Sequence, residues 1–135
     1  MLLQTHVLSA LLVMLFLLDF FPIPWLFLGI ALISCILPDL DMGSFFKHRG
    51  MLHSFTFCGG ISLLLFFVNG HLAASFAIGY GIHLIGDSLT IGGLRPFWPS
   101  ALRTKGLFKV GSTGEKAIFY LLFLAVAIKF FFLIF

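Results

Sequence analysis

Long apolar stretches alternate with short polar breaks along the whole chain. Gly, Pro or charged residues separate five such stretches, at 2–21, 25–37, 51–68, 72–89 and 115–135. Apolar residues surround each stretch on all sides, which is typical of helices in lipid. The second stretch has only 13 residues, whereas a bilayer core takes ~20 helical residues. It is therefore a partial span or begins earlier, near Phe20.

This pattern predicts an all-α, polytopic membrane helical bundle of about five spans. We expect one integral membrane domain, residues 1–135, with no internal repeat. The composition agrees, because 61% of the residues are hydrophobic and 10% are charged, and a soluble domain needs far more polar surface. The net charge of +3 is small and no basic run occurs, so no nucleic-acid partner is expected. The first stretch lacks signal-peptide features and is interpreted as a retained helix.

The basic residues predict the orientation. With five spans, the N-terminus and the loops at 38–50 and 90–114 share one side, and Lys129 lies inside the last span. The shared side holds the other seven basic residues: Lys47, Arg49, Arg95, Arg103, Lys105, Lys109 and Lys116. The positive-inside rule places that side, and with it the N-terminus, in the cytoplasm.

Most side chains that can bind a metal fall at that same side. The candidate metal ligands are His6, Asp39, Asp41, His48, His53, His83 and Asp87. Ionisable groups at membrane depth are costly, so they usually face a polar cavity and mark a functional site. Glu115 is either a further ligand or a helix cap beside Ser112 and Thr113. Asp19 and His71 fall at the opposite side and are interpreted as solvated residues at helix ends.

Two pairs carry the sharpest signals. His83 and Asp87 are four apart and share a helix face. Three roles are open for this pair. Both side chains can bind one divalent ion, the carboxylate can orient a metal-bound imidazole, or the two can form an isolated hydrogen bond. Asp39 and Asp41 can bind one metal, bridge two, or form a hydrophilic turn. Mixed His and Asp donors suit Zn²⁺, Mn²⁺ or Fe²⁺.

Three glycines beside the first pair are expected to let helices approach closely: Gly79, Gly81 and Gly86.

A third signal surrounds Gly50. His48 and His53 flank this break, and Arg49 offers a fork of donors that can hold a phosphate. The alternative is a basic loop with one interfacial histidine. Ser54 suits a local backbone cap. We take Arg49, Asp41 and His48 as the candidate catalytic residues.

These motifs resemble a known family. They are Thr5-His6, Pro38-Asp39-Leu40-Asp41, His48-Arg49-Gly50-x-x-His53-Ser54 and Gly79-Tyr80-x-x-His83-Leu84-x-x-Asp87-x-x-Thr90-x-x-Gly93. Their order and spacing resemble the YdjM-like family, whose members are described as inner-membrane metal-dependent hydrolases. The resemblance implies a prokaryotic inner-membrane protein. A looser similarity links the His-x-x-x-Asp spacing to zinc-dependent phospholipases C and nucleases.

The leading hypothesis is a membrane-embedded hydrolase with one or more divalent metals, zinc first and manganese or iron as alternatives. Such an ion polarises a phosphoryl oxygen and lowers the pKa of a bound water. A site at headgroup level favours a phosphoester in a lipid or polyprenyl phosphate, with the bilayer as the other partner. The alternatives are a metal-ion or proton transporter and a non-catalytic membrane protein with a structural metal. The sequence leaves the oligomeric state open.

Overall fold

The part of the chain that the structure describes contains five α-helices and one 3₁₀ helix. The computed structural model describes residues 1–22, 24–43 and 50–134. The α-helices are α1 Leu3–Phe20, α2 Trp25–Ile36, α3 Phe55–Phe66, α4 Gly70–Ser88 and α5 Thr113–Ile134, and the 3₁₀ helix is Leu37–Gly43. The predicted all-helical architecture is confirmed.

Local sequence signals set the helix ends. Pro38 has no N–H for a bond to residue 34, so α2 stops at Ile36 and tightens into the 3₁₀ helix. The apolar stretch at 51–68 becomes helical only from Phe55, because Ser54 caps α3 and accepts the Phe57 N–H at 3.2 Å. This capping role of Ser54 was predicted.

The fourth helix is the centre of the bundle. It packs against α1, α2 and α3, whereas α5 contacts α1 alone among the described elements. A Cβ at Gly79 would lie 1.9 Å from the carbonyl oxygen of Ala31. Only glycine therefore allows α2 and α4 to approach this closely, as predicted. The same expectation fails at Gly81, where a Cβ would meet nothing within 4 Å.

Contacts at both ends show that α1 and α5 run in the same direction. At one end, Glu115 of α5 accepts the Leu2 N–H at 2.5 Å. At the other end, the Lys129 ammonium donates to the Asp19 carboxylate and lies 5.2 Å from the centre of the Phe16 ring. The sequence predicts a simply solvated Asp19, but this carboxylate pairs with a cation from the last helix.

Two helices are long and apolar enough to cross a membrane. They are α1 and, in α5, Thr113–Leu133. The apolar helices 25–40 and 55–66 are shorter. Large exposed side chains cover α5, among them Tyr120, Leu121, Phe123, Leu124, Phe131 and Phe132. An apolar surface of this extent is expected to face lipid.

The segment after α4 folds back against the bundle. The Phe108 N–H donates to the Leu89 carbonyl at 3.1 Å, and the Ile91 N–H donates to the Phe108 carbonyl at 2.9 Å. Further along, the Pro96 carbonyl accepts the Phe55 N–H at 2.8 Å. The loop therefore lies over the end of the bundle where α4 finishes and α3 begins.

Candidate metal centre

Five of the seven predicted ligands lie together at this end of the bundle. They come from four places along the chain: His6 from α1, Asp39 from the 3₁₀ helix, His53 from the turn before α3, and both His83 and Asp87 from α4. They form two groups, His6–His83–Asp87 and Asp39–His53–His83. Within each group, one potential ligand atom per residue lies within 4.8 Å of the others. His83 belongs to both groups.

The Nε2 atoms of the three histidines converge on the two carboxylates. The Asp87 Oδ1 atom lies 3.3 Å from His6 Nε2, and its Oδ2 atom lies 3.6 Å from His53 Nε2 and 3.7 Å from His83 Nε2. The Asp39 Oδ1 atom lies 3.6 Å from the same nitrogens of His53 and His83. The His6 and His83 rings stack with their centres 4.0 Å apart.

The centre is almost closed to solvent. The exposed fraction is 1% for His6, 0% for His83 and 3% for Asp87. The ring nitrogens of His6 and His83 make no hydrogen bond to the described residues although they are buried. Buried polar atoms nearly always have a partner, and the distances to the carboxylates exceed normal hydrogen-bond lengths. Imidazole and carboxylate donors spaced in this way fit a divalent transition metal.

Asp39 is the described member of the centre that reaches solvent. Its side chain is 20% exposed, compared with 4% for Asp87. Burial raises the pKa of the Asp39 carboxyl, but the neighbouring His53 and His83 imidazoles lower it, and the net pKa lies below its ordinary value. A lowered pKa favours the ionised carboxylate, which is the form that can bind a metal.

Comparison with known proteins fits this picture. The YdjM inner membrane protein family matches residues 1–134. The chain belongs to the YdjM family. No curated protein and no solved structure matches it. Family membership and the two long apolar helices make this chain an inner membrane protein.

Gly86 controls the placement of His6 in this YdjM family member. A Cβ at position 86 would lie 2.7 Å from both Cε1 and Nδ1 of His6. The His6 ring lies against Gly86 and also stacks on His83. Any larger residue at position 86 would therefore force the His6 ring out of this position. The sequence predicts a close approach here, but not that a histidine makes it.

Tyr80 is a supporting residue that the sequence analysis did not single out. Its hydroxyl donates to the Leu52 carbonyl at 2.5 Å, directly before His53. This bond fixes the turn that carries His53 to α4. The available signal was a tyrosine three residues before His83 in a helix expected to pack within the bundle, because a buried tyrosine hydroxyl usually finds a partner.

Glu115 caps α5 and anchors the start of α1. One carboxylate oxygen accepts the Leu2 N–H and the other accepts the Gly111 N–H, each at 2.5 Å. Ser112 Oγ accepts the Glu115 N–H at 3.4 Å, which is the capping arrangement predicted from the sequence. The Met1 α-ammonium donates to Asp87 Oδ1 at 2.5 Å. Of the two roles predicted for Glu115, the structure shows the cap.

The remaining candidates are His48, Arg49 and Asp41. His48 and Arg49, together with the side chain of Asp41, lie outside the described residues. Their roles as ligand, phosphate-binding group or base stay predictions from the sequence.

Proposed function

We propose that this YdjM family protein is a membrane-embedded metal-dependent hydrolase of phosphoesters. The observation that carries the proposal is the two buried His/Asp groups that share His83. Together they offer five donors, more than one four-coordinate zinc needs. The residues therefore suit two ions, or one ion with the remaining side chains as orienting groups and proton acceptors. Zinc is the first candidate, with manganese and iron as alternatives.

The chain's own residues have separable tasks. His6, His83 and Asp87 would hold one ion, and Asp39 and His53 would complete a second group with His83. An ion held there supplies charge stabilisation to a phosphoryl oxygen and lowers the pKa of water. If a single ion is held by His6, His83 and Asp87, Asp39, whose side chain is the more exposed of the two carboxylates, would accept a proton from an attacking water. Asp41 and His48 are the other candidate bases, and Arg49 is the candidate partner for the phosphate charge.

The location favours a lipid substrate. The centre lies at one end of a bundle whose outer surface is apolar, next to a loop that carries the exposed side chains of Phe97 and Trp98. Aromatic side chains of this kind favour the water–lipid interface. A phospholipid or polyprenyl phosphate would place its head at the centre and keep its hydrocarbon chain in the bilayer.

The distribution of buried ionisable groups supports hydrolysis over transport. Among the described residues, the buried acidic and imidazole side chains all belong to the site end: His6, His53, His83, Asp87 and Glu115. At the far end, Asp19 pairs with Lys129, and His71 is an exposed residue whose ring lies 5.7 Å from that of Phe27. An ion path needs polar groups along the bundle. The rival proposal is a non-catalytic protein with a structural metal, because the two His/Asp groups join α1, the 3₁₀ helix, α4 and the turn before α3.

Metal analysis and phosphate release would test the function together. Protein purified in detergent is expected to contain at least one transition metal per chain. It should also release phosphate from at least one member of a panel of lipid phosphates and phosphodiesters. A chelator should remove both properties, and one metal should restore both. Metal-loaded protein that is inert on every ester would establish the structural-metal alternative.

The site is expected to face the cytoplasm. The proposal rests on the basic residues that share the site's side, because cytoplasmic loops carry an excess of Lys and Arg. A topology reporter fused after Gly70 should therefore appear outside, and one fused within 100–110 should appear inside. Both reporters on the same side of the membrane would contradict the five-span orientation.

A further inference from the structure

An apolar groove runs along α3, and one of its ends lies close in the chain to His53 of the candidate metal centre. Its volume is about 450 Å³, and Thr56 supplies the only polar side chain among its described lining residues. The residues used below are Met51, Phe57, Gly60, Leu64 and Trp98. Thr56 and Leu64 are eight positions apart, so the groove follows the helix for about 12 Å.

One end of the groove belongs to the same turn as the metal centre. Met51 and Phe57 stand on either side of His53 in the chain, and Ser54 Oγ donates to the Met51 carbonyl at 2.6 Å. The Phe57 ring lies 6.1 Å from the ring of Tyr80, whose hydroxyl holds the Leu52 carbonyl. Two residues of the groove wall, Met51 and Phe57, thus contact residues that support the turn carrying His53.

The folded-back loop supplies the other wall. The hydrogen bond from the Phe55 N–H to the Pro96 carbonyl brings Trp98 to the start of α3. Trp98 is 39% exposed, as expected for an aromatic residue at the membrane interface. The groove therefore begins at interface depth, beside the metal centre, and continues along α3.

We infer that this groove holds the hydrocarbon chain of the phosphoester whose head is cleaved at the metal centre. The inference rests on the proposed hydrolase function. The described lining residues carry no charge, so this part of the groove suits a hydrocarbon chain better than a charged headgroup. A lipid chain that enters at the Trp98 end would have its head on the side of the turn that carries His53.

A second groove provides an internal control. It is similar in volume, about 440 Å³, and lies on another part of α3, against α4. Its lining includes Gly59, Phe66, Gly70 and Ala73, so it extends to the end of α3 remote from His53. A lipid chain there has no connection to the metal centre.

Two neighbouring glycines allow each groove to be filled separately. Gly60 lines the first groove and Gly59 the second. A Cβ at either position meets nothing within 4 Å, and replacing a helical glycine with leucine improves helix propensity. Gly60→Leu and Gly59→Leu should therefore both fold and retain the metal, while each blocks one groove.

Quenching of Trp98 measures occupancy directly. Trp25 and Trp98 are the chain's two tryptophans, so Trp25→Phe leaves Trp98 as the only one. The probe is an undecyl phosphate that carries bromine on a carbon close to the phosphate, added to the protein in phosphatidylcholine vesicles. In this background, Gly60→Leu should raise the probe concentration needed for half-maximal quenching of Trp98 at least tenfold. Gly59→Leu should leave that concentration unchanged. Hydrolysis of a long-chain phosphoester should follow the same order, and a short-chain ester should be cleaved equally by both variants.

The two proposals fail in different ways. Equal quenching in both variants, or equal loss in both, would overturn the groove assignment. So would unchanged hydrolysis of the long-chain ester by Gly60→Leu. If the hydrolase function is wrong, the metal-loaded wild type will release no phosphate from either ester. That result would also overturn the proposal that the hydrocarbon chain in the groove belongs to a substrate.

Discussion

His83→Ala should remove bound metal from the protein and abolish phosphoester hydrolysis. His83 is the donor common to both groups, so its loss leaves neither complete. Removing a group that merely supports a ligand typically costs 10–100-fold in metal affinity or activity, and we expect more than ~100-fold for this shared donor. Elemental analysis and phosphate release on the purified variant would measure both effects. His6→Ala and His53→Ala should each lose less, because each leaves one group intact.

His71→Ala is the matched control for this series. His71 lies in the first turn of α4, while His83 lies near its end. The substitution should leave metal content and turnover unchanged. Equal losses at positions 71 and 83 would show that the histidines act on folding rather than on metal binding.

Arg49→Ala should retain the metal and lose ~10²–10³ of turnover. Arginine remains protonated and has no lone pair for a metal, so metal content should not change. The expected loss is that of one preorganised donor to a developing charge. Arg49→Lys should recover only part of the rate, because an ammonium cannot reproduce the planar fork. Metal content and phosphate release would be measured side by side.

Arg103→Ala is the control for charge alone. Arg103 is an exposed arginine in the loop on the same side, so its removal changes the net charge equally. Full activity in Arg49→Ala, or an equal loss in Arg103→Ala, would remove Arg49 from the proposed site.

The meeting of distant ligands was predictable because successive helices reverse direction. Once the apolar stretches are drawn, His6, Asp39, His53 and the pair at 83 and 87 fall at one end without any knowledge of packing. The structure brings these five together, and their role as ligands stays a prediction. Helix ends were less predictable, since a cap such as Ser54 shortens an apolar stretch that hydropathy alone would make helical.

Contacts that depend on exact packing were not readable from the sequence. Gly79, Gly81 and Gly86 look equivalent in the chain, yet they meet the Ala31 carbonyl, empty space and the His6 ring, respectively. The helical spacing of residues in the sequence shows which of them share a face, but not which neighbouring residue contacts that face. The same limit applies to Asp19 and Lys129, which are 110 residues apart and meet only because α1 and α5 run in parallel.

The anchoring of α1 by Glu115 has a consequence for biosynthesis. His6 lies in the first turn of α1, yet the carboxylate that accepts the N–H of Leu2, the residue before this helix, lies 113 positions later in α5. During insertion, α1 must wait in the bilayer while α2, α3 and α4 are made. The bond from Leu2 to Glu115 can form only after α5 has been made. A nascent chain stalled before Glu115 therefore lacks this anchor at the start of the helix that carries His6.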